Sequence, residues 1–233
     1  MNGFIHSIQT LGATDGPGVR FTVFTNGCPL RCVCCHNPDT WEFGGTEMSA
    51  DELIKKAERY REYFKVKGGI TVSGGEPLCQ AEFCKELFTK AKLIGINTCL
   101  DTSGCVLNDE VKALLEVTDL VMLDVKYTTD EDYQKFVGCE LSAVLEFLEY
   151  LQAKGKRTWI RQVIIPGLND DVENIKRLKA IVSKFSVVEK TELLPFKKLC
   201  ETKYDELNLV FLLKDTPEAS KSRVEELQLM LNL

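Results

Sequence analysis

The feature that most constrains the fold of this chain is a regular alternation of short β-branched runs and longer helical patterns. Six short runs predict strands, and they are Phe21–Thr25, Ile70–Ser73, Asn97–Asp101, Leu120–Asp124, Thr158–Ile165 and Glu189–Leu194. Helical patterns lie between them at Ala81–Leu93, Asn108–Glu116, Leu141–Ala153 and Val172–Ser183. A last helix is predicted to follow Thr216 and Pro217, a capping residue and a proline in the first turn.

The helix after the first strand has its own start signal. Ser49 and Glu52 have the spacing of a capping box, in which each side chain bonds the backbone N–H of the other residue. Apolar residues then recur at helical spacing and predict the buried face: Leu53, Ile54, Ala57, Tyr60 and Phe64.

Strands joined by helices pair in parallel, and six such units form either an incomplete β/α barrel or a doubly wound sheet. Periodicity alone does not separate these two α/β folds. A chain of 233 residues with 44% hydrophobic residues can bury a sizeable core, and no linker or repeat interrupts it. We therefore expect one domain.

Polar or glycine-rich loops follow the strands at their carboxyl ends: NGCPLRCVCCHN, SGGEP, DTSG, DVK, PGLND and PFK. In parallel β/α folds this edge of the sheet is where ligands bind. The six loops are therefore predicted to contribute to one site.

Charge and the amino terminus narrow the function classes. A net charge of −6 gives no general attraction to nucleic acid or to anionic membranes. The start, MNGFIHSIQT, lacks the basic and apolar regions of a secretory signal, and no stretch of about 18 apolar residues occurs. We expect a cytoplasmic protein, in which clustered cysteines indicate metal binding or catalysis rather than disulfides.

Cys28, Cys32 and Cys35 form a C-x3-C-x2-C pattern in one loop. Three thiolates can hold three corners of an iron–sulfur cluster and leave one iron without a protein ligand. The alternative is a structural zinc site completed by Cys34 or His36, although Cys34 beside Cys35 can hardly share a tetrahedral ion with it. The other cysteines are predicted to be small core residues: Cys79, Cys84, Cys99, Cys105, Cys139 and Cys200.

The remaining polar loops each allow two interpretations. The SGGEP segment brings backbone close to a ligand, or is only a tight strand-to-helix turn. Asp101 and Asp124 are interpreted either as ligands of a cation, an ammonium or ribose hydroxyls, or as turn-forming residues. Lys126 is interpreted either as the partner of a ligand carboxylate or as an ordinary solvated lysine. Thr71 stands where a nucleophile elbow needs glycine, and only two histidines are present, so serine hydrolysis is disfavoured.

Over nearly its whole length the chain resembles the radical S-adenosylmethionine superfamily, and within it the enzymes that activate glycyl radical enzymes. The resemblance is carried by GFIHSIQTLGATDGPGVRFTVFTNGCPLRCVCCHNPDTW, ITVSGGEPLCQAEF, CLDTSG, DLVMLDVK, VIIPGLND and ELLPF. It implies an α/β fold, a partial (β/α)6 TIM-like barrel in a single domain at 1–233, with a short helical extension at the carboxyl end.

The resemblance also implies cofactors and their residues. The 4Fe-4S cluster lies on Cys28, Cys32 and Cys35, and S-adenosyl-L-methionine chelates its open iron. Contacts to that cofactor are implied for Cys34, Cys35, His36, Gly75, Asp124, Val125, Lys126 and Lys197. A monovalent cation site is implied for Asp101, Thr102, Met122 and Asp124. Two positions depart from the family pattern, which usually has an aromatic residue where Cys34 stands and a histidine where Lys197 stands.

The implied activity is that of an oxidoreductase of anaerobic glucose metabolism. A reduced flavodoxin or ferredoxin passes one electron to the cluster, the cofactor is cleaved, and hydrogen is taken from a glycine of formate acetyltransferase (pyruvate formate-lyase). Asp15, in the DGPG segment, is implied to lie near the partner peptide. Two other hypotheses stay open: a radical enzyme acting on a small molecule or nucleoside, and a zinc or ferredoxin-like module without catalysis.

Overall fold

The computed structural model describes residues 1–232, which contain eight strands and nine α-helices. The strands are β1 Asn2–Gly12, β2 Arg20–Thr25, β3 Thr46–Ser49, β4 Gly69–Gly74, β5 Asn97–Thr102, β6 Leu120–Asp124, β7 Thr158–Ile164 and β8 Val188–Pro195. The helices are α1 Ala50–Glu58, α2 Arg61–Phe64, α3 Ala81–Leu93, α4 Asp109–Glu116, α5 Asp130–Phe136, α6 Leu141–Ala153, α7 Val172–Val182, α8 Glu201–Glu206 and α9 Lys221–Asn232.

The strand order is β3-β1-β2-β4-β5-β6-β7-β8. The pairs β2–β4, β4–β5 and β7–β8 are parallel, whereas β1 runs antiparallel to both β2 and β3. All six predicted strands are present, as β2 and β4 to β8. The unclosed, mostly parallel sheet confirms the predicted α/β class and agrees with a partial (β/α)6 barrel.

Four elements were not predicted from the sequence. β1 buries only part of one face and carries few β-branched residues in succession, and β3 is four residues long. α5 and α8 are short, with seven and six residues. Such elements carry too little periodicity to be recognised, because their stability comes from the neighbours on which they pack.

The predicted capping box is present at the start of α1. The Ser49 hydroxyl accepts a hydrogen bond from the Glu52 N–H at 3.2 Å, and the Glu52 carboxylate accepts one from the Ser49 N–H at 2.8 Å. Leu53, Ala57 and Phe64 are buried as predicted, although Phe64 belongs to the separate helix α2, whereas Ile54 and Tyr60 are only half-buried.

The predicted start of the last helix at Thr216 and Pro217 is wrong, because α9 begins at Lys221. The capping residue is Ser220, whose hydroxyl accepts a hydrogen bond from the Arg223 N–H at 3.2 Å. Ser220 thus caps the helix in the usual way, since its side chain accepts from the N–H three residues later.

The chain divides into two compact units. Unit 1 contains Met1–Pro29 and Thr40–Met122, with β1 to β5, and α3 packs there against α1 and α4. Fully buried apolar residues from the strands and α3, among them Val23, Ile70 and Leu87, form its core. Arg20 is also fully buried, and its guanidinium donates to the Thr71 hydroxyl at 2.9 Å and the Ile70 carbonyl at 2.6 Å. These bonds compensate the buried charge.

Unit 2 contains Leu30–Asp39 and Leu123–Leu233, as far as residue 232 is described. Its core includes the fully buried Phe147, Leu151 and Ile160, and α9 packs against α7 and β8. No helix within residues 1–232 has the length and apolar character needed to span a membrane.

Candidate active site

The three cysteines of the C-x3-C-x2-C pattern are partly accessible. Cys28 belongs to unit 1, where its N–H donates to the Trp41 carbonyl at 2.9 Å. Cys32 and Cys35 belong to unit 2, and a turn joins them in which the Cys35 N–H donates to the Cys32 carbonyl at 3.1 Å. All three are half-buried. Within the described residues no three His, Cys, Asp or Glu side chains are grouped to hold a metal ion, so this ligand set stays a prediction from the spacing.

Backbone hydrogen bonds hold the cysteine loop of unit 2 in place. The Arg31 N–H donates to the Val137 carbonyl at 3.1 Å, and the Val33 N–H donates to the Phe136 carbonyl at 2.9 Å. Both acceptors lie at the end of α5. This short helix, which the sequence did not predict, therefore fixes the path of the loop.

Cys34 differs chemically from a typical metal ligand. Burial raises the pKa of its thiol to about 11, and the nearby Lys126 opposes that shift only in part. The thiol is therefore neutral near pH 7, whereas metals bind thiolates. This property disfavours Cys34 as a metal ligand.

Asp124, at the end of β6, is held between two cations. Its carboxylate accepts from the Lys126 ammonium at 3.0 Å and from the Arg161 guanidinium at 3.0 and 3.1 Å. Burial alone would raise the pKa of Asp124, but Arg161 and Lys126 outweigh it and lower the pKa to about 2. Burial likewise would lower the pKa of Lys126, but Asp124 and two cysteines raise it. Both groups are therefore charged at neutral pH.

Arg161 was not singled out in the sequence. It lies in the middle of β7, where buried residues alternate with half-buried ones. The sequence did offer one signal for Arg161. It is a charged residue inside a predicted strand, and the neighbouring strand ends in an aspartate.

The DVK segment, Asp124–Lys126, is held by its backbone as well. The Lys126 N–H donates to the Tyr133 hydroxyl at 3.0 Å, and the Val125 N–H donates to the Arg161 carbonyl at 2.9 Å. The side chain of Val125 is fully buried. Contact of Val125 with a ligand therefore stays a prediction, because the whole residue is buried.

The PGLND loop supports this segment through Asn169. Its side-chain amide donates to the Lys126 carbonyl at 3.3 Å and the Val163 carbonyl at 2.9 Å, and its oxygen accepts from the Ile165 N–H at 2.7 Å. Asn169 is only 2% exposed. The loop predicted to bind a ligand thus contributes a buried asparagine that positions the DVK segment.

His36 and Lys197 meet through the backbone of Lys197. A ring nitrogen of His36, Nε2, lies 2.9 Å from the Lys197 carbonyl oxygen, which can only accept, so Nε2 carries the proton. The Lys197 ammonium pairs with Glu218 at 2.9 Å on the surface. This contact ties His36 to the segment that follows β8, while cofactor binding by His36 and by Lys197 stays a prediction.

Helix α8 also holds the cysteine loop. The Tyr204 hydroxyl donates to the Cys35 carbonyl at 3.3 Å, and Lys203 pairs with Asp39 at 3.0 Å. Neither residue stood out in the sequence, because a six-residue helix shows no clear apolar periodicity, although Tyr204 is only 3% exposed.

In unit 1 the glycines of SGGEP allow close backbone packing. Gly74 has φ +111°, a conformation that L side chains rarely adopt. A Cβ on Gly75 would lie 2.5 Å from the Gly27 carbonyl oxygen, and the Gly75 N–H already donates to the Thr25 carbonyl at 2.8 Å. The tight-turn interpretation accounts for both glycines, and contact of Gly75 with a cofactor stays a prediction.

Glu76 is a further residue of this loop that sequence reasoning missed. It is 2% exposed, and its carboxylate accepts from the Leu78 N–H, the Thr102 hydroxyl and the Ser103 N–H at 3.1, 2.6 and 2.9 Å. The Ser103 hydroxyl donates as well. Glu76 therefore ties the SGGEP loop to the DTSG loop. An acid between glycine and proline in such a loop was its only sequence signal.

The residues implied for a monovalent cation fall in both units. In unit 1, Asp101 accepts from the Ser73 hydroxyl at 2.8 Å, Thr102 bonds Glu76, and Met122 is 1% exposed. In unit 2, Asp124 is paired as described above. The cation site stays a prediction.

Asp15 of the DGPG segment is bonded to two strands of unit 1. Its carboxylate accepts from the Thr22 hydroxyl at 3.1 Å, and its carbonyl accepts from the Thr71 hydroxyl at 2.7 Å. These bonds fix the position of the segment on β2 and β4. Contact of Asp15 with a partner peptide stays a prediction.

Comparison with known proteins identifies a family. The sequence pattern of the Radical SAM superfamily matches residues 22–178. The chain is 43% identical over 228 residues to a pyruvate formate-lyase-activating enzyme of Clostridium pasteurianum, covering 97% of this chain and 95% of that protein. It is 42% identical over 230 residues to the pyruvate formate-lyase 1-activating enzyme of Escherichia coli K12, covering 97% and 94%.

Solved structures share the fold. A domain of a pyruvate-formate lyase-activating enzyme from Bacteroides vulgatus superposes with a TM-score of 0.59 at 22% identity, covering 71% of this chain and 93% of that chain. A radical SAM methyltransferase from Sphaerobacter thermophilus gives a TM-score of 0.66 at 18% identity, covering 91% and 63%.

Proposed function

This chain belongs to the radical S-adenosylmethionine superfamily, and on that premise we propose that it activates formate acetyltransferase (pyruvate formate-lyase) by installing a radical on one of its glycines. The observation that carries the proposal is the identity of 37–43% to pyruvate formate-lyase-activating enzymes of several species, each over 97% of this chain. The match is not limited to the cysteine loop, which the small-molecule enzymes of the superfamily share.

Members of this superfamily use S-adenosylmethionine and an iron–sulfur cluster. We infer that the cluster is of the 4Fe-4S type and is held by Cys28, Cys32 and Cys35. The chemistry of the donor set supports this, since three half-buried cysteines within eight residues can supply three thiolates and leave one iron open. When bound, the reduced cluster and S-adenosylmethionine supply the cofactor cleavage that allows hydrogen to be taken from the partner's glycine.

The residues of the DVK segment are suited to bind an amino-acid cofactor with a ribose. The Lys126 ammonium, kept protonated beside Asp124, can pair with a carboxylate. The ionised Asp124 can accept hydrogen bonds from hydroxyl or ammonium groups. The N–H of Gly75 is occupied, so its carbonyl oxygen is the atom that it offers to the cofactor. The contact of Val125, which is fully buried, rests on the resemblance to the family alone.

The same proposal includes the other contacts. Cys34, Cys35, His36 and Lys197 would lie along the cofactor. A monovalent cation would bind at Asp101, Thr102, Met122 and Asp124, and Asp15 would lie near the partner peptide. The electron would come from reduced flavodoxin or ferredoxin, in the cytoplasm and within anaerobic glucose metabolism. We further propose that residues 1–233 act as one domain.

The test is an anaerobic reaction of the reconstituted, reduced protein with S-adenosylmethionine and formate acetyltransferase. We expect a doublet glycyl radical signal in electron paramagnetic resonance, together with methionine and 5'-deoxyadenosine. A Cys32→Ala variant should give neither, because it removes a cluster ligand. A formate acetyltransferase with alanine in place of its radical glycine is the matched partner control.

Three outcomes separate the hypotheses. Cofactor cleavage without a radical on this or any other glycyl radical enzyme would favour a small-molecule substrate. A colourless protein that contains zinc after anaerobic purification would favour the module without catalysis. A doublet that disappears with the alanine partner supports the activase.

A further inference from the structure

Tyr127 is a buried aromatic residue next to the DVK segment. It follows Lys126 directly and is 1% exposed. Its ring lies 5.2 Å from that of Phe136 and 6.4 Å from that of Tyr133, which it meets nearly edge-on at 83°. With two rings packed against it, the side chain has little freedom to turn its hydroxyl toward solvent.

The Tyr127 hydroxyl is one of three buried side-chain polar atoms without a hydrogen-bond partner among the described residues, with Asn26 Oδ1 and Gln162 Nε2. A buried hydroxyl without a partner is destabilising, and nearly all such groups in proteins are paired. The neighbouring Tyr133 shows the ordinary case, since its hydroxyl accepts from the Lys126 N–H and lies 3.4 Å from the Asp124 carbonyl. Residues 1–232 supply no partner to the Tyr127 hydroxyl, which leaves it able to bond a group bound beside it.

The surroundings of the hydroxyl indicate what that partner is. The Tyr127 ring packs on Phe136, and the carbonyl of Phe136 holds the cysteine loop through the Val33 N–H. Burial is the first cause that raises the pKa of Tyr127, and the thiols of Cys34 and Cys32 are the next. The hydroxyl thus lies in the electrostatic environment of the sulfur atoms in unit 2. Of these two residues only Cys32 is a proposed cluster ligand.

We propose that Tyr127 donates a hydrogen bond from its hydroxyl to a sulfur at the Cys32 corner of the iron–sulfur cluster and thereby raises the cluster's reduction potential. The inference rests on the proposed function, because it requires a cluster in this loop. Reduction adds one negative charge to the cluster. A donated hydrogen bond stabilises the more negative, reduced state more than the oxidised state, and hydrogen bonds to the sulfurs are among the factors that set these potentials.

The experiment compares the reduction potentials of the reconstituted clusters in the wild type, Tyr127→Phe and Tyr133→Phe, titrated anaerobically without S-adenosylmethionine. We expect Tyr127→Phe to keep its iron and sulfide while its ratio of reduced to oxidised cluster at a fixed potential falls roughly three- to tenfold, as for loss of one hydrogen bond. At 59 mV per tenfold for one electron, this equals a shift of about 30 to 60 mV to lower potential. Tyr133→Phe should leave the potential unchanged, because its hydroxyl already has partners within the chain.

A second measurement separates this role from a structural one. Without a cluster, Tyr127→Phe should melt at the same temperature as the wild type or higher, since the substitution removes an unpaired buried group, whereas Tyr133→Phe should melt lower. An unchanged potential in Tyr127→Phe would overturn the inference, and so would an equal shift in Tyr133→Phe. If the wild type takes up no cluster at all, the proposed function itself fails.

Discussion

Replacing Glu76 by glutamine tests the account of the SGGEP loop most directly, because it exchanges one carboxylate oxygen for an NH2 group at nearly constant volume. Glu76 is 2% exposed and accepts hydrogen bonds from Leu78, Thr102 and Ser103. The oxygen of the glutamine amide can still accept the two bonds that reach Oε1, from the Leu78 N–H and the Thr102 hydroxyl. At the other position its NH2 faces the Ser103 N–H, so two donors meet and a buried N–H is left unpaired.

The magnitude follows from the bonds that change. A hydrogen bond to a charged group contributes about 1.5 to 3 kcal/mol, and the retained bonds lose their charge assistance. We therefore expect Glu76→Gln to lower the free energy of unfolding by roughly 2 to 4 kcal/mol. At roughly 2 to 4 °C per kcal/mol for a chain of this length, the melting temperature should fall by about 5 to 15 °C.

The assay is anaerobic thermal unfolding of the protein without a cluster, followed by circular dichroism. Glu82→Gln is the matched control, since Glu82 is exposed in the first turn of α3 and should lose less than about 1 kcal/mol. If Glu76→Gln is as stable as Glu82→Gln, the carboxylate does not hold the two loops together.

Four further predictions concern residues of unit 2. Cys34→Ser should retain its iron and sulfide after reconstitution while Cys32→Ala loses them; the reverse result would refute the assignment of ligands. Lys126→Ala should keep its cluster but bind S-adenosylmethionine roughly ten- to a hundredfold more weakly in equilibrium binding, and an unchanged Kd would argue against that contact. Because the pKa of Asp124 is lowered from 3.8 to about 2, its contribution to stability is complete above pH 4 and is lost as the pH falls toward 2; the difference in urea unfolding between wild type and Asp124→Asn should shrink over that window. Asn169→Ala removes the hydrogen bonds of three backbone groups and should destabilise the protein by roughly 2 to 5 kcal/mol, and a loss below about 1 kcal/mol in urea unfolding would contradict its bracing role.

Much of the framework could be predicted because it depends on local signals. The six predicted strands carry β-branched runs, and the capping box of Ser49 and Glu52 needs only residues three positions apart. The last helix shows the limit of such signals. Thr216 and Pro217 form a plausible start, but Ser220 provides the cap in the structure, so two local signals competed within five residues.

The residues that the sequence did not reveal act through partners far away in the chain. Arg161 gains its role from Asp124, which lies 37 positions earlier, and Glu76 from Ser103, which lies 27 positions later. Asn169 braces Lys126 across 43 positions. None of these side chains is unusual in its own segment. The role of each becomes visible only when its distant hydrogen-bond partner is known.

The sequence by itself determined the elements whose physics is local: alternating strands and helices, the spacing of three cysteines, and glycines where the backbone must approach closely. The tertiary structure alone decided which polar groups are buried together, because burial removes water and makes each missing partner costly. It therefore decided that Asp124 stays ionised between two cations, that Cys34 stays a neutral thiol, and that the Tyr127 hydroxyl has no hydrogen-bond partner within residues 1–232. These protonation states and pairings depend on desolvation and on distances in three dimensions, and neither quantity can be read from the amino-acid sequence.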